Sequence, residues 1–158
     1  MPENIFKQVA LDILRLHQQT TYSLLATRFC DECEVHDAAY ITLNGRYYVW
    51  LPCTPAGEND TGILLIEDER LQARLSWVGQ TRPLHQKDSL YRRIMSALQR
   101  RMRHTKEMLK AADACLLEVI PQHGRLTTGT KDLSLSPNDL VKALYPAAHQ
   151  FHSGAYAL

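Results

Sequence analysis

Cys30, Cys33 and His36 form a C-x2-C-x2-H arrangement. Thiolates and imidazole at this spacing can hold zinc, and a C-x-x-C pair can also cycle between dithiol and disulfide. A structural zinc site needs four ligands, however, and the nearest remaining candidate, Cys53, lies across a whole hairpin. A redox pair works best at a helix N-terminus, whereas this one falls between two strand-like segments. The simpler reading is an incidental loop. Two further histidines, His149 and His152, stand in the terminal segment YPAAHQFHSGAYAL. Arg92, Arg93, Arg100, Arg101 and Arg103 make a basic stretch, but they fall around a helix rather than in one stripe, with no aromatic platform between them. That pattern describes a solvated outer face. Tyr40, Tyr47, Tyr48, Trp50 and Trp77 suit either a packed core or a pocket for a flat ring system.

Whole-chain properties narrow the classes. At 158 residues the chain suits one domain with a substantial core. Lys and Arg number 18 against 17 Asp and Glu, so no global field draws it to nucleic acid or anionic lipid. No apolar run approaches the roughly 20 residues needed to cross a bilayer, and MPENIFKQ lacks the apolar region of a secretory signal. Four scattered cysteines are too few for a secreted disulfide framework, which fits a reducing compartment. A soluble cytoplasmic protein is the expectation, with neither nucleic acid nor membrane as partner.

These side chains need elements to position them. Residues 2–19 place Ile5, Val9, Ile13 and Leu16 on one stripe, an amphipathic helix. TYSLLAT reads as a first strand and CDECEVHD as a loop or ragged connection. Asn44-Gly45, between two alternating segments, predicts a two-residue hairpin turn. In GILLIEDERLQARLSWVGQ, the run 63–66 reads as a strand covered on both faces, and Leu75 and Trp77 alternate with polar residues as a half-buried strand. Leu90, Ile94, Leu98 and Met102 predict a long helix over 88–110. Residues 114–120 and 124–128 read as two strands around a Pro121 turn. Ser136-Pro137-Asn138-Asp139 predicts a capped helix start running to Leu144.

This order of elements, with ILLIEDE followed by ARLSWV, with DACLLEVIPQHGRLTTG, and with LSPNDLVKAL near the end, resembles the pyridoxamine 5'-phosphate oxidase-like split-barrel superfamily, and within it the small haem-utilisation proteins. The resemblance implies a mainly β, α+β fold: a six-stranded antiparallel split barrel with flanking helices over residues 1–158, the barrel spanning 21–128 and a C-terminal helix and tail 137–158. It also implies a homodimer with a cofactor, FMN or haem, at each end of the subunit interface. A dimer is expected on crowding grounds too, because one barrel has little interior for Tyr40, Tyr48, Trp50, Trp77 and the apolar face of the long helix together.

In the family the haem ligand lies in the C-terminal tail, where His149 and His152 stand as alternatives for the iron. Asp113 matches an acid that supports the ligand, and Arg74 matches a basic residue at the start of the fifth strand that faces a propionate. The segment CTPAGENDTG replaces one that gathers phosphate contacts in FMN-type relatives, and it holds no Arg, Lys or His. Weak FMN binding or none is expected, since a phosphate needs cationic forks or clustered N–H groups. The leading expectation is a haem-binding, haem-utilisation protein, with oxygen-dependent haem opening as the reaction if it is catalytic. The alternatives are an FMN-dependent oxidoreductase and a cofactor-free dimeric binding protein.

Overall fold

The computed structural model describes residues 1–29, 32–52, 61–102 and 114–145. Along the chain these form α1 (Glu3–Gln19), β1 (Tyr22–Phe29), β2 (Glu32–Leu43), β3 (Arg46–Leu51), β4 (Thr61–Asp68), β5 (Ala73–Pro83), α2 (Ser89–Arg101), β6 (Cys115–Thr128), β7 (Lys131–Leu135) and α3 (Pro137–Leu144). The strands run in the order β3-β2-β1-β4-β5-β6, and pairing of β3 with β6 closes them into a six-stranded antiparallel barrel. β7 extends the sheet from β6.

Local chemistry accounts for the corners. Asn44 and Gly45 take φ of 55° and 77°, the positive values a tight hairpin turn demands, and this fixes the β2–β3 register. The Asp88 side chain accepts from Leu90 N–H at 2.9 Å and starts α2. Ser136 and Asp139 form a reciprocal capping box with Pro137 in the first turn, so α3 begins where the sequence predicts.

Two cores lie on opposite faces of the barrel wall. Inside, Leu25, Tyr40, Tyr47, Val49, Leu64, Ile66, Leu75, Trp77, Val119 and Leu126 pack with Val9, Ile13 and Leu16 of α1 and Leu140 of α3. Outside, α2 lays Ile94, Leu98 and Met102 over Ala39, Ile41, Tyr48, Trp50 and Leu116. This second core removes the crowding argument for a dimer: the aromatic residues in question are buried within one chain, Tyr48 and Trp50 under its own helix.

A short polar chain crosses the main core. His17 Nδ1–H donates to the Ile13 carbonyl at 2.7 Å, leaving Nε2 to accept from the Tyr47 hydroxyl at 2.7 Å. Thr20 donates to the Leu16 carbonyl at 2.7 Å and meets the Tyr40 hydroxyl at 2.5 Å. From α2, Arg101 caps the main-chain oxygens of His17 and Thr20, and its guanidinium sits 5.4 Å from the Tyr40 ring centre.

Several sequence expectations change. β2 begins at Glu32, so most of CDECEVHD is strand; its alternation of polar residues hid the period. The strands read around Pro121 are one continuous β6, because a bulge in β6 itself, with Gln122 the extra residue opposite the Val78–Gly79 step of β5, falls beside the proline that lacks an N–H. β7 was not anticipated. Residues 63–66 are not covered on both faces: Leu64 and Ile66 point inward, whereas Ile63 is 48% exposed. Residues 103–110 of the predicted long helix lie outside the described residues.

Gly124 shows how full the barrel is. A Cβ there would stand 2.5 Å from the Trp77 ring. Gly124→Ala is therefore expected to cost about 1–3 kcal/mol by overpacking, read as a lower urea midpoint with an unchanged slope.

Candidate functional site

With the interior filled, the chemistry available to a ligand lies on the outer wall. β5 alternates strictly, with Leu75, Trp77 and Thr81 inward and Arg74, Ser76, Val78, Gln80 and Arg82 outward. At its C-terminal end, the register sets Arg82 opposite Glu118 of β6, and Glu118 opposite Tyr48 of β3. Glu118 is only 1% exposed. Its Oε1 accepts from Arg82 Nη2 at 2.7 Å and Arg46 Nη1 at 3.2 Å, and its Oε2 accepts from the Tyr48 hydroxyl at 2.9 Å. Three donors offset the desolvation of a buried carboxylate, which otherwise costs several kcal/mol. Burial, and then the adjacent carboxylate, push the Tyr48 phenol up to about 12, so it stays a donor. Two guanidiniums against one carboxylate leave a net positive cluster, and the arginine side chains remain 44% (Arg46) and 61% (Arg82) exposed.

Arg74 stands at the other end of the same face. It pairs with Glu67 of β4 at 3.2 Å, in a cleft of about 310 Å³ that also contains Asp68, Glu69 and Thr127. Asp68 in turn meets Arg70 at 3.8 Å. Carboxylates crowd this end, so the Arg74 cation is already matched there. Between the two ends, Val35, Ala26, Ile63 and Val78 are successive register neighbours across β2, β1, β4 and β5. Val35 is 62% exposed and Val78 is exposed as well, so a row of apolar side chains faces outward from the sheet. Val78 is four residues from each arginine on β5, roughly 14 Å along the strand.

The remaining sequence candidates separate. Asp113, His149 and His152 lie outside the described residues, as do Cys30 and Cys53. Cys33 is an exposed free thiol, and His36 is half-buried against Glu34 at 3.2 Å. Three residues apart on β2, they point to opposite faces of the strand and do not converge. Among the described residues no group of His, Cys, Asp and Glu is placed to hold a metal ion. Sequence reasoning missed Arg46, Arg82 and Glu118. A signal was present: Arg82 shares its parity with Arg74 along β5, and Glu118 is the one acid within the apolar run CLLEVI.

Neither a family model nor a curated protein matches the sequence. Solved structures do match the fold. HutZ, the heme storage protein of Vibrio cholerae, aligns with a TM-score of 0.64 at 17% identity, over 75% of this chain and 92% of that one. A protein of the pyridoxinephosphate oxidase family from Clostridium acetobutylicum, related to general stress protein 26, aligns with a TM-score of 0.65 at 13% identity, over 85% and 98%. The chain has the split-barrel fold of the pyridoxamine 5'-phosphate oxidase-like proteins. A heme binding protein from Mycobacterium smegmatis shares this split barrel with a TM-score of 0.65 at 14% identity, over 83% of this chain but 59% of that one. No described helix of this split-barrel protein is long and apolar enough to cross a membrane.

Proposed function

We propose that this split-barrel protein binds haem as a homodimer and serves haem utilisation. The observation that carries the reading is the outward row Val35–Ala26–Ile63–Val78 within reach of the Arg46–Arg82 pair. Haem presents a flat apolar ring edged by two carboxylates, and this face offers matching chemistry. The heme proteins among the structural neighbours support it at the level of fold. An isologous contact of the same face with a second copy covers the Val35 end of the exposed apolar row and encloses a ligand lying over its Ile63–Val78 end. The exposed free thiol of Cys33 suits a reducing compartment, so we place the protein in the cytoplasm.

His149 or His152 would supply the axial nitrogen, and Asp113 would orient that imidazole through its other ring nitrogen. Arg74 would reach a propionate only by exchanging it for Glu67. Bound haem itself supplies any oxygen chemistry, while the protein's part is the ligand, the orientation and the exclusion of water.

Titration with haem, and separately with FMN, tests the reading. A saturable Soret band is expected with haem. His149→Ala/His152→Ala is expected to abolish the histidine-ligated spectrum, and Asp113→Asn to weaken it with the fold intact. A wild type that gives no Soret band in excess haem would favour the cofactor-free alternative, and a sub-micromolar FMN constant by fluorescence quenching would favour the flavin one. If haem binds and the double variant is unchanged, His36 and His85 become the ligands to test.

The dimer carries its own expectation. Light scattering at micromolar concentration should give twice the 18.0 kDa chain mass. Ile63→Lys/Val78→Glu should reduce it to the monomer while leaving the circular dichroism spectrum unaltered; a monomeric wild type removes the dimer.

A further inference from the structure

We propose that Arg46 and Arg82 form an oxyanion site that takes the phosphate or carboxylate group of a ligand whose apolar part lies over Ile63 and Val78. The apolar half rests on the ligand-binding reading above; the oxyanion half does not. Arginines on open surface lose side-chain entropy when they grip an anion. Here Glu118 has already restrained both, drawing one terminal nitrogen of each to the same Oε1 at 3.2 and 2.7 Å. A guanidinium carries five N–H donors in a planar fork, and among the described residues each of these arginines makes one hydrogen bond, to Glu118. The rest remain for a second anion on side chains that are partly exposed.

The underlying carboxylate does not repel that anion strongly. Glu118 is buried, its charge is met by two cations, and Tyr48 caps its second oxygen as a lasting donor. The cluster is net positive, whereas the Arg74 end of β5 carries carboxylates in excess. Placement adds an independent argument. The stretch 52–60 contains no Arg, Lys or His. Thr61, where β4 begins after it, pairs with Gln80, and Gln80 is followed two residues later on the same outward face by Arg82. Arg82 thus brings a cation to the strand beside the start of β4, where that connection brings none. An anionic group held there would lie a strand's short length from Val78 and Ile63, a separation that suits a ring system with an acidic tail.

Inorganic phosphate probes the site without any cofactor. In titrations followed by arginine Nε–Hε resonances, saturable shifts are expected at Arg46 and Arg82, lost for the substituted residue in Arg46→Gln and Arg82→Gln. The single variants leave one guanidinium on Glu118 so the fold survives, which a thermal melt checks. Arg92→Gln on the exposed face of α2 serves as control. No saturable shift in the wild type overturns the oxyanion site, whether or not haem binds. The source of the anion is read from paired ligands: haem against its dimethyl ester, and FMN against riboflavin. Each single variant should weaken the charged member by about tenfold or more, the loss of a charge-assisted contact, and leave the uncharged member within twofold. The pair that responds names the group. Equal weakening of both members overturns the ligand assignment. Phosphate binding without any haem or flavin binding would retain the oxyanion site and remove the haem reading instead.

Discussion

Taking the protein from pH 7 to pH 4 is expected to remove about 3 kcal/mol of stability through His17 alone. Burial lowers its pKa from 6.5 to about 4, the hydrogen bond to Ile13 opposes that shift, and Arg101 adds to it. Well above pH 6.5 the imidazole is neutral both folded and unfolded, and it contributes no pH dependence. As pH falls from 6.5 towards 4, the unfolded chain takes up the proton and the folded chain does not, so stability drains across that window. Below about 4 the native state must accept the proton too, at the cost of the Tyr47 hydroxyl bond to Nε2. Urea unfolding at half-unit steps from pH 8 to pH 4 measures this. His17→Gln, which keeps a polar side chain beside Tyr47, should flatten the profile between 6.5 and 4 relative to the wild type. Parallel profiles for the two proteins would show that the acid sensitivity comes from carboxylates elsewhere.

Trp77→Ala is expected to cost about 3–5 kcal/mol, the range for emptying a large buried aromatic. Trp77 is fully buried in the barrel, flanked in register by Leu64 of β4 and Gly124 of β6. No neighbouring element can collapse into the space without breaking the ladder that closes the sheet. Adding Gly124→Ala should recover part of the loss, because the methyl group that clashes with the indole would occupy the vacated volume. A double variant as unstable as the sum of the singles would show that the two sites do not share this space. Haem affinity of the folded fraction should be unchanged in Trp77→Ala, since the proposed ligand lies outside the wall.

The sequence disclosed most of the fold because its corners are written in local chemistry. Asn44-Gly45, the capping box at Ser136 and the period of β5 each act within a few residues and survive as read. Features set by distant partners were harder to see. Pro121 looks like a turn until the bulge at Gln122 and the pairing of β6 with β5 are known, and Ile63 looks like core until β4 is known to have an open outer side. Of the aromatics that suggest a dimer, Tyr48 and Trp50 are covered by α2 while Tyr40 and Trp77 fill the barrel, an assignment no window of sequence contains. The site was legible in part. The outward position of Arg74 follows from the alternation of β5, yet its pairing with Glu67 and the convergence of Arg46 and Arg82 on Glu118 depend on strands brought together from far apart. The histidine and aspartate candidates rest on the family resemblance.

Closure of the barrel by β3 and β6 has a meaning for biosynthesis. β3 is RYYVWL, an aromatic and β-branched segment, and its second edge is satisfied only by residues roughly 70 positions later in the chain. At typical elongation rates of about 5–20 residues per second, that edge waits roughly 4–14 s for its partner to be made. Throughout that interval a nascent chain carries a β-prone strand with an unpaired ladder, and for the first part of it no helix α2 to cover its outer face. Such an edge is a template for pairing with another nascent chain. The crowded ribosome, rather than the finished protein, is then where this architecture is most exposed to aggregation, and chaperone capture of the first half of the chain is the natural protection against it.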